Sequence, residues 1–178
     1  MTHLHTIACD GFTLTARIEP CLDHCAPWHE FDGHGPVSDW RWQWRNAHGG
    51  LDKAPGERLL WQDARAARYY GFAEAVRIAR RDGWRAPGET GEGTPGEIAA
   101  RAAEADFQRL RAYCAGEWHY VGVVVAVARA GVTLDAHAAS LWMIESDADE
   151  YLRQVAEDLT GEALEVGRGL LGELCACH

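Results

Sequence analysis

Apolar and polar residues alternate at a two-residue period near the start of the chain. Phe12, Leu14, Ala16 and Ile18 are interleaved with Thr13, Thr15 and Arg17, the spacing of a strand with one buried face. Asp10-Gly11 stands before them as a two-residue turn, so residues 4–18 are predicted to form a hairpin that Pro20 ends. Residues 20–38 are dense in Pro, Gly, Asp and His and predict a long irregular loop. Trp40, Trp42 and Trp44 then alternate with Arg41, Gln43 and Arg45, again at strand spacing. Turns are predicted at residues 46–50 and at Pro55-Gly56, followed by a short strand over residues 58–61.

The period then changes to that of a helix. Phe72, Ala75, Val76 and Ala79 form one apolar stripe away from Arg77, Arg80 and Arg81, and Gly83 supplies a left-handed cap with Trp84 behind it. Residues 85–93 have the composition of a flexible linker. Thr94, Pro95 and Glu97 make a capping box with the proline at its favoured place, and the helix they open carries Ala99, Ala103, Phe107, Leu110 and Cys114 on one face. Residues 118–127 are almost all apolar and rich in valine, which suits a strand buried on both faces. Ala130-Gly131 is predicted to turn this strand back into a partner over residues 132–144. Ser146 or Asp147 is the expected cap of a last helix, with Leu152, Val155, Leu159, Ala163, Val166, Leu170 and Leu174 as its core stripe. Gly161, Gly167, Gly169 and Gly172 each weaken that helix by roughly 1 kcal/mol relative to Ala, so a break is expected after about Gly167.

These elements predict an α+β fold, an antiparallel sheet of about four to five strands with about three helices packed on it. At 178 residues the chain is read as one domain, 1–178, large enough to bury a core without staples. No apolar run reaches the roughly 20 residues that a membrane helix needs. The first residues lack the basic start and apolar core of a signal peptide, so the expected location is cytoplasmic and the six cysteines are expected to be reduced. Most of the eight tryptophans are assigned to the core, because an indole brings large area and one polar group.

Charge is distributed unevenly. Residues 145–178 carry nine carboxylates against Arg153 and Arg168, while residues 58–85 carry seven arginines against Asp63, Glu74 and Asp82. An anionic face excludes phosphate polymers as its direct ligands and favours cationic protein surfaces. With Leu152, Val155 and Leu159 turned inward, the outward set on the last helix includes Asp149, Glu150, Glu157 and Asp158, with Asp147 at the cap. These five residues are the candidate binding site.

Residues 21–34 hold the one concentration of metal-type ligands. Cys21, Cys25, His29 and His34 have workable loop spacing for tetrahedral zinc, but no helix presents the histidines, and the same residues fit a polar loop without metal. Cys25 with His29 or His34, and Ser38 with His34, are the nucleophile–base pairs that can be written down. None sits on a strand-turn-helix elbow. No glycine-rich phosphate motif fits a strand–helix junction, and no cofactor is implied. Arginines between 41 and 85, with Trp40, Trp42, Trp44, Tyr69 and Tyr70 among them, suggest a stacking and cationic nucleic-acid surface. The alternation over residues 40–45 separates rings from arginines, however, so the rings are assigned to the core and the arginines to a solvated basic face.

Five stretches, residues 27–38, 53–57, 69–84, 117–125 and 140–151, carry a resemblance over most of the chain. The run Asp32-Gly33-His34-Gly35-Pro36-Val37-Ser38 and the run from Ser140 to Tyr151 are its most specific parts. Together they resemble a group of small acidic proteins encoded by bacteriophages and prophages of proteobacteria. The resemblance implies a phage accessory product acting in a host cytoplasm and assigns no residue a role. Cys21 and Cys25 fall outside these stretches, so it lends the metal set no support. The expected function is that of a non-enzymatic binding protein, of anti-CRISPR or anti-restriction type, whose acidic helical face blocks a host protein with a cationic surface. The alternative is a small metal-stabilised module or hydrolase using the Cys/His loop. No membrane partner is expected, and the composition is compatible with a homo-oligomer.

Overall fold

Residues 2–30, 33–42 and 53–176 are described by the structure, a computed structural model. Among them lie strands β1 (Thr2–Cys9), β2 (Phe12–Pro20), β3 (Arg41–Trp42), β4 (Arg58–Gln62), β5 (Ala66–Tyr70), β6 (Tyr120–Arg129) and β7 (Val132–Glu145), and four helices. These are α1 (Pro27–Glu30), α2 (Phe72–Asp82), α3 (Pro95–Cys114) and α4 (Asp149–Ala176). The α+β class read from the sequence is the one observed, but the strands divide between two antiparallel sheets, β1-β2-β6-β7 and β3-β5-β4. The chain forms two compact units, residues 1–24 with 118–178 and residues 25–117. Among the described residues no helix is long and apolar enough to cross a membrane.

In the first unit both hairpins use the same turn chemistry. Asp10 (φ 52°) and Gly11 (φ 78°) join β1 to β2, and Ala130 (φ 49°) and Gly131 (φ 79°) join β6 to β7. Two successive left-handed residues make the turn whose twist matches that of the flanking strands. The predicted boundaries at Asp10-Gly11, Pro20 and Ala130-Gly131 all hold. Phe12, Leu14 and Ala16 of β2 and Val121, Val123, Val125 and Val127 of β6 form one core with Leu152, Val155, Ala156, Leu159 and Ala163 of α4. Val124, on the opposite side of β6, is fully buried too, as the unbroken apolar run of that strand predicts.

α4 runs without a break to Ala176, contrary to the interruption expected after Gly167. The cause is packing. A Cβ on Gly167 would lie 2.7 Å from Val127 Cγ2 and 3.1 Å from Phe12 Cε1, so the bare α-carbon lets the helix lie close on the sheet, and tertiary contact outweighs glycine's poor helix propensity. Gly167→Ala is accordingly expected to destabilise the protein by about 1–3 kcal/mol through overpacking. Gly161 and Gly169 meet nothing within 4 Å, and alanine there should stabilise by up to about 1 kcal/mol. Opposite signs in thermal denaturation are the expected result; equal shifts would separate Gly167 from the helix–sheet contact. α4 begins at Asp149, and the Ser146 hydroxyl expected to cap it accepts from the His119 amide at 3.0 Å.

In the second unit β5 is the central strand, and β3 and β4 pair with it on either side. Leu60 and Tyr70 pack with Ala75 of α2 and with Ala103, Phe107 and Leu110 of α3. The capping box is formed as predicted: Thr94 Oγ1 accepts from the Glu97 amide at 3.3 Å while Glu97 Oε2 accepts from the Thr94 amide at 2.7 Å. Gly83 (φ 71°) ends α2 in the left-handed conformation, and the Trp84 amide returns to the Ala79 carbonyl at 2.9 Å. Residues 85–93 are tied to α3, where Arg101 donates to Glu89 at 2.7 and 3.1 Å. α1 interrupts the predicted 20–38 loop. Trp44 and the turn predicted at residues 46–50 lie outside the described residues.

Candidate functional site

The five carboxylates of the candidate binding face, Asp147, Asp149, Glu150, Glu157 and Asp158, are all exposed. On α4, the buried Leu152, Val155 and Leu159 fix the inner side, and the 3.6-residue period places Asp149, Glu150, Glu157 and Asp158 away from it. Glu162 and Glu165 continue the exposed set, and Arg168 bridges Glu165 and Asp10. The charge imbalance is a property of this unit: residues 1–24 and 118–178 hold thirteen carboxylates and four arginines, a formal charge of -9. Residues 25–117 hold fourteen carboxylates against thirteen basic residues, a formal charge of -1. There the charges are paired locally, as in Arg41–Glu57, Arg58–Glu104, Arg77–Glu74, Arg81–Asp82 and Arg101–Glu89. The basic segment is therefore largely neutralised within its own unit.

Cys21, Cys25, His29 and His34 are not gathered with one another among the described residues. Just past β2, the Cys21 amide donates to the Tyr120 carbonyl at 3.1 Å and its thiol lies 3.7 Å from Met143 Sδ. Cys25 is exposed, and the Glu30 carboxylate beside it holds its thiol above the ordinary range by hydrogen bonding and by repelling the thiolate. His29 is exposed at the end of α1. His34 turns its Nδ1 to Asp106 Oδ1 at 2.6 Å. Among the described residues no three His, Cys, Asp or Glu side chains are gathered as a metal ion requires.

Asp106 is the residue that sequence reading missed. Its carboxylate takes His34 on one oxygen, and on the other accepts from the Gly35 amide and the Tyr70 hydroxyl, each at 2.7 Å. Tyr70 is fully buried, with the Phe107 ring 5.5 Å away. Burial and the neighbouring Asp106 push its phenol well above the ordinary value, so it stays a donor. Gly35 has to be glycine: a Cβ there would stand 2.3 Å from the Tyr70 hydroxyl oxygen. The rest of the Gly-His-Gly-Pro-Val-Ser run is stitched to β5. The Gly71 amide donates to the Pro36 carbonyl at 2.8 Å, the Ser38 amide to the Tyr69 carbonyl at 2.9 Å, and the Tyr69 amide to Ser38 Oγ at 3.0 Å.

A His–Asp pair can orient a general base, but Ser38 and Cys114, the hydroxyl and thiol weighed for it among the described residues, are engaged or held protonated. Ser38 donates to the Asp39 carbonyl at 2.8 Å, and burial pushes the Cys114 thiol up to about 11. The network fastens residues 33–38 to α3. Beside it lies a cleft of about 610 Å³ lined by Gly33, Trp84, Arg85, Pro87, Asp106 and Arg109, among others. Nothing local marks Asp106 in the sequence; the glycine pair around His34 was the available signal.

The assignment of the tryptophans to the core is corrected. Trp118 is 1 % exposed, but Trp40, Trp42 and Trp61 are 37, 66 and 43 % exposed. The alternation does place Trp40 and Trp42 on one side of a strand, yet α3 covers only the Tyr70 end of that side, through Phe107 and Leu110. Toward the other end, the Arg68 guanidinium carbon lies 5.4 Å from the Trp28 ring and 5.0 Å from the Trp40 ring, and Trp40 and Trp61 are 4.8 Å apart. Tyr69 and Tyr70, also weighed as stacking residues, are buried.

Compared with known protein families, with curated proteins and with solved structures, the chain matches none.

Proposed function

We propose that this is a phage-type, non-enzymatic binding protein that antagonises a host nucleic-acid-binding machine, with the outer face of α4 engaging a cationic protein surface. The observation that carries the reading is the confinement of almost all the net charge, -9 of -10, to the unit built on that helix. Between Asp149 and Glu173, α4 has seven carboxylates. At a rise of 1.5 Å per residue that is about one charge per 5 Å, near the 3.4 Å per phosphate of one nucleic-acid strand. A surface evolved for phosphates would meet a broad acidic face, broken only by Arg153 and Arg168, on a rigid support. The metal-module or hydrolase alternative is the weaker reading, since among the described residues no three metal-type ligands come together.

Changing Asp149, Glu150 and Glu157 to lysine together should alter stability by less than about 1 kcal/mol, because exposed charges contribute little. Binding should fall steeply, since like charges set against each other across an interface cost several kcal/mol. The measurement is capture from host lysate by wild-type and reversed protein side by side, followed by affinity for the captured partner at rising salt. Salt should weaken the wild-type complex chiefly through slower association. Capture of the same partner at unchanged affinity by the reversed protein would sink the acidic-face reading.

A further inference from the structure

The open end of the β3-β5-β4 face combines two features that structural packing does not explain. Trp42 and Trp61 stand on the strands either side of β5, paired with Ala66 and Arg68 respectively, so residues in register place both indoles on the same side of the sheet as Arg68. Trp40, two residues before Trp42, joins them through its contacts with Arg68 and Trp61. All three rings keep more than a third of their surface in water. Exposed indoles presented together on one small sheet face make a stacking platform.

The second feature is Arg68 itself. Arg68 is half-buried, its guanidinium lies against the Trp28 and Trp40 rings with the Cys114 thiol near enough to feel its charge, and no carboxylate pairs with it among the described residues. Ring faces stabilise a cation, but they do not satisfy five N–H donors as oxygen atoms do. Arg41, Arg58 and Arg101 of the same unit use carboxylates. Arg68 is held in place by aromatic rings without a carboxylate partner among the described residues, so an anion arriving from outside can take its donors.

We propose that this face is a single-stranded nucleic-acid site, in which Arg68 contacts phosphate and Trp40, Trp42 and Trp61 stack on bases. Flat rings plus one unpaired cation fit this class best. A neutral glycan would use the indoles but gives Arg68 no anion, and an acidic peptide would use Arg68 but leaves the indoles uncovered. A duplex hides the base faces that the rings would take. The unit's formal charge of -1 does not repel a polyanion as the other unit does. The site is independent of the acidic-face reading, because it lies in the other unit.

Fluorescence anisotropy of labelled dT15 and rU15 with the intact protein, at low salt, tests this together with quenching of tryptophan emission. Micromolar to submillimolar binding is expected, with log K falling against log salt at a slope of about -0.7 for one neutralised phosphate. Trp61→Ala and Arg68→Gln should each weaken binding about tenfold or more, and Trp42→Phe, which keeps a stacking ring at the most exposed position, should weaken it less than Trp42→Ala. Trp142→Ala, a comparably exposed indole in the other unit, should leave binding unchanged. Tighter binding of either dT15 or rU15 identifies the sugar preferred. The proposal is overturned by absence of binding, by equal binding of duplex DNA, by unchanged binding in Trp42→Ala and Arg68→Gln with folding intact, or by quenching with a neutral oligosaccharide alone.

Discussion

Asp106→Ala is expected to cost the protein about 3–5 kcal/mol of stability, felt in the unit of residues 25–117. Truncation removes the acceptor of the Gly35 amide and the nearer acceptor of the Tyr70 hydroxyl, which keeps only the Ala103 carbonyl at 3.4 Å, at about 1–3 kcal/mol for each bond left unmade. The bond from His34 goes as well. Asp106→Asn keeps one carbonyl oxygen and should lose less. Urea unfolding gives the magnitude, and hydrogen exchange gives the location: amides of Gly35, Ser38 and Tyr69 should exchange faster while those of β6 do not. A loss below about 1 kcal/mol, or faster exchange confined to β6, would mean that Asp106 does not hold the 33–38 segment. The same network gives a pH dependence. The Tyr70 phenol is raised in the folded protein, so its contribution is complete below its ordinary value of 10.0. As the pH rises above that value the unfolded chain releases this proton and the folded chain keeps it, so stability declines.

That network shows where local sequence stops being informative. The two hairpins and the start of α3 were legible because each is decided by neighbours in the chain: two left-handed residues at Asp10-Gly11 and Ala130-Gly131, and a reciprocal cap between Thr94 and Glu97. Asp106 meets Gly35 and His34 across 71 and 72 positions, and no periodicity reports a partner that distant. β5 was missed for a different reason. Its residues, Ala66-Ala67-Arg68-Tyr69-Tyr70, are buried on both sides at four of five positions, so the alternation that marks a strand is absent. Alternation did identify the common side of Trp40 and Trp42, but a period says which residues share a face and not whether anything covers it. Gly167 was misread by the same limit: propensity counts it as a weakness, and only the closeness of Val127 and Phe12 reveals it as a fit. The acidic face of α4 was legible because an inner stripe of leucine and valine determines the outer one on any helix.

Leu159→Ala should destabilise the first unit by about 2–5 kcal/mol, and the upper half of that range is expected. Leu159 is 7 % exposed and belongs to the core that α4 makes with the sheet, so truncation loses both the transfer energy of the missing carbons and the contacts around the void. The void has little means of closing. Its helix neighbours in the core, Ala156 and Ala163, are short, and the sheet side is built from Val123, Val125 and Val127, β-branched residues with restricted χ1 freedom. Leu159→Met, which nearly conserves volume, should cost less than about 1.5 kcal/mol. Urea denaturation should show a lower midpoint at an unchanged slope, the sign of a less stable native state rather than an altered unfolded one. Neighbouring Asp158→Ala, on the exposed side, should change stability by no more than about 0.5 kcal/mol. If Leu159→Ala proved as mild as Asp158→Ala, the inner stripe of α4 would be misassigned, and the outward direction of its carboxylates would fall with it.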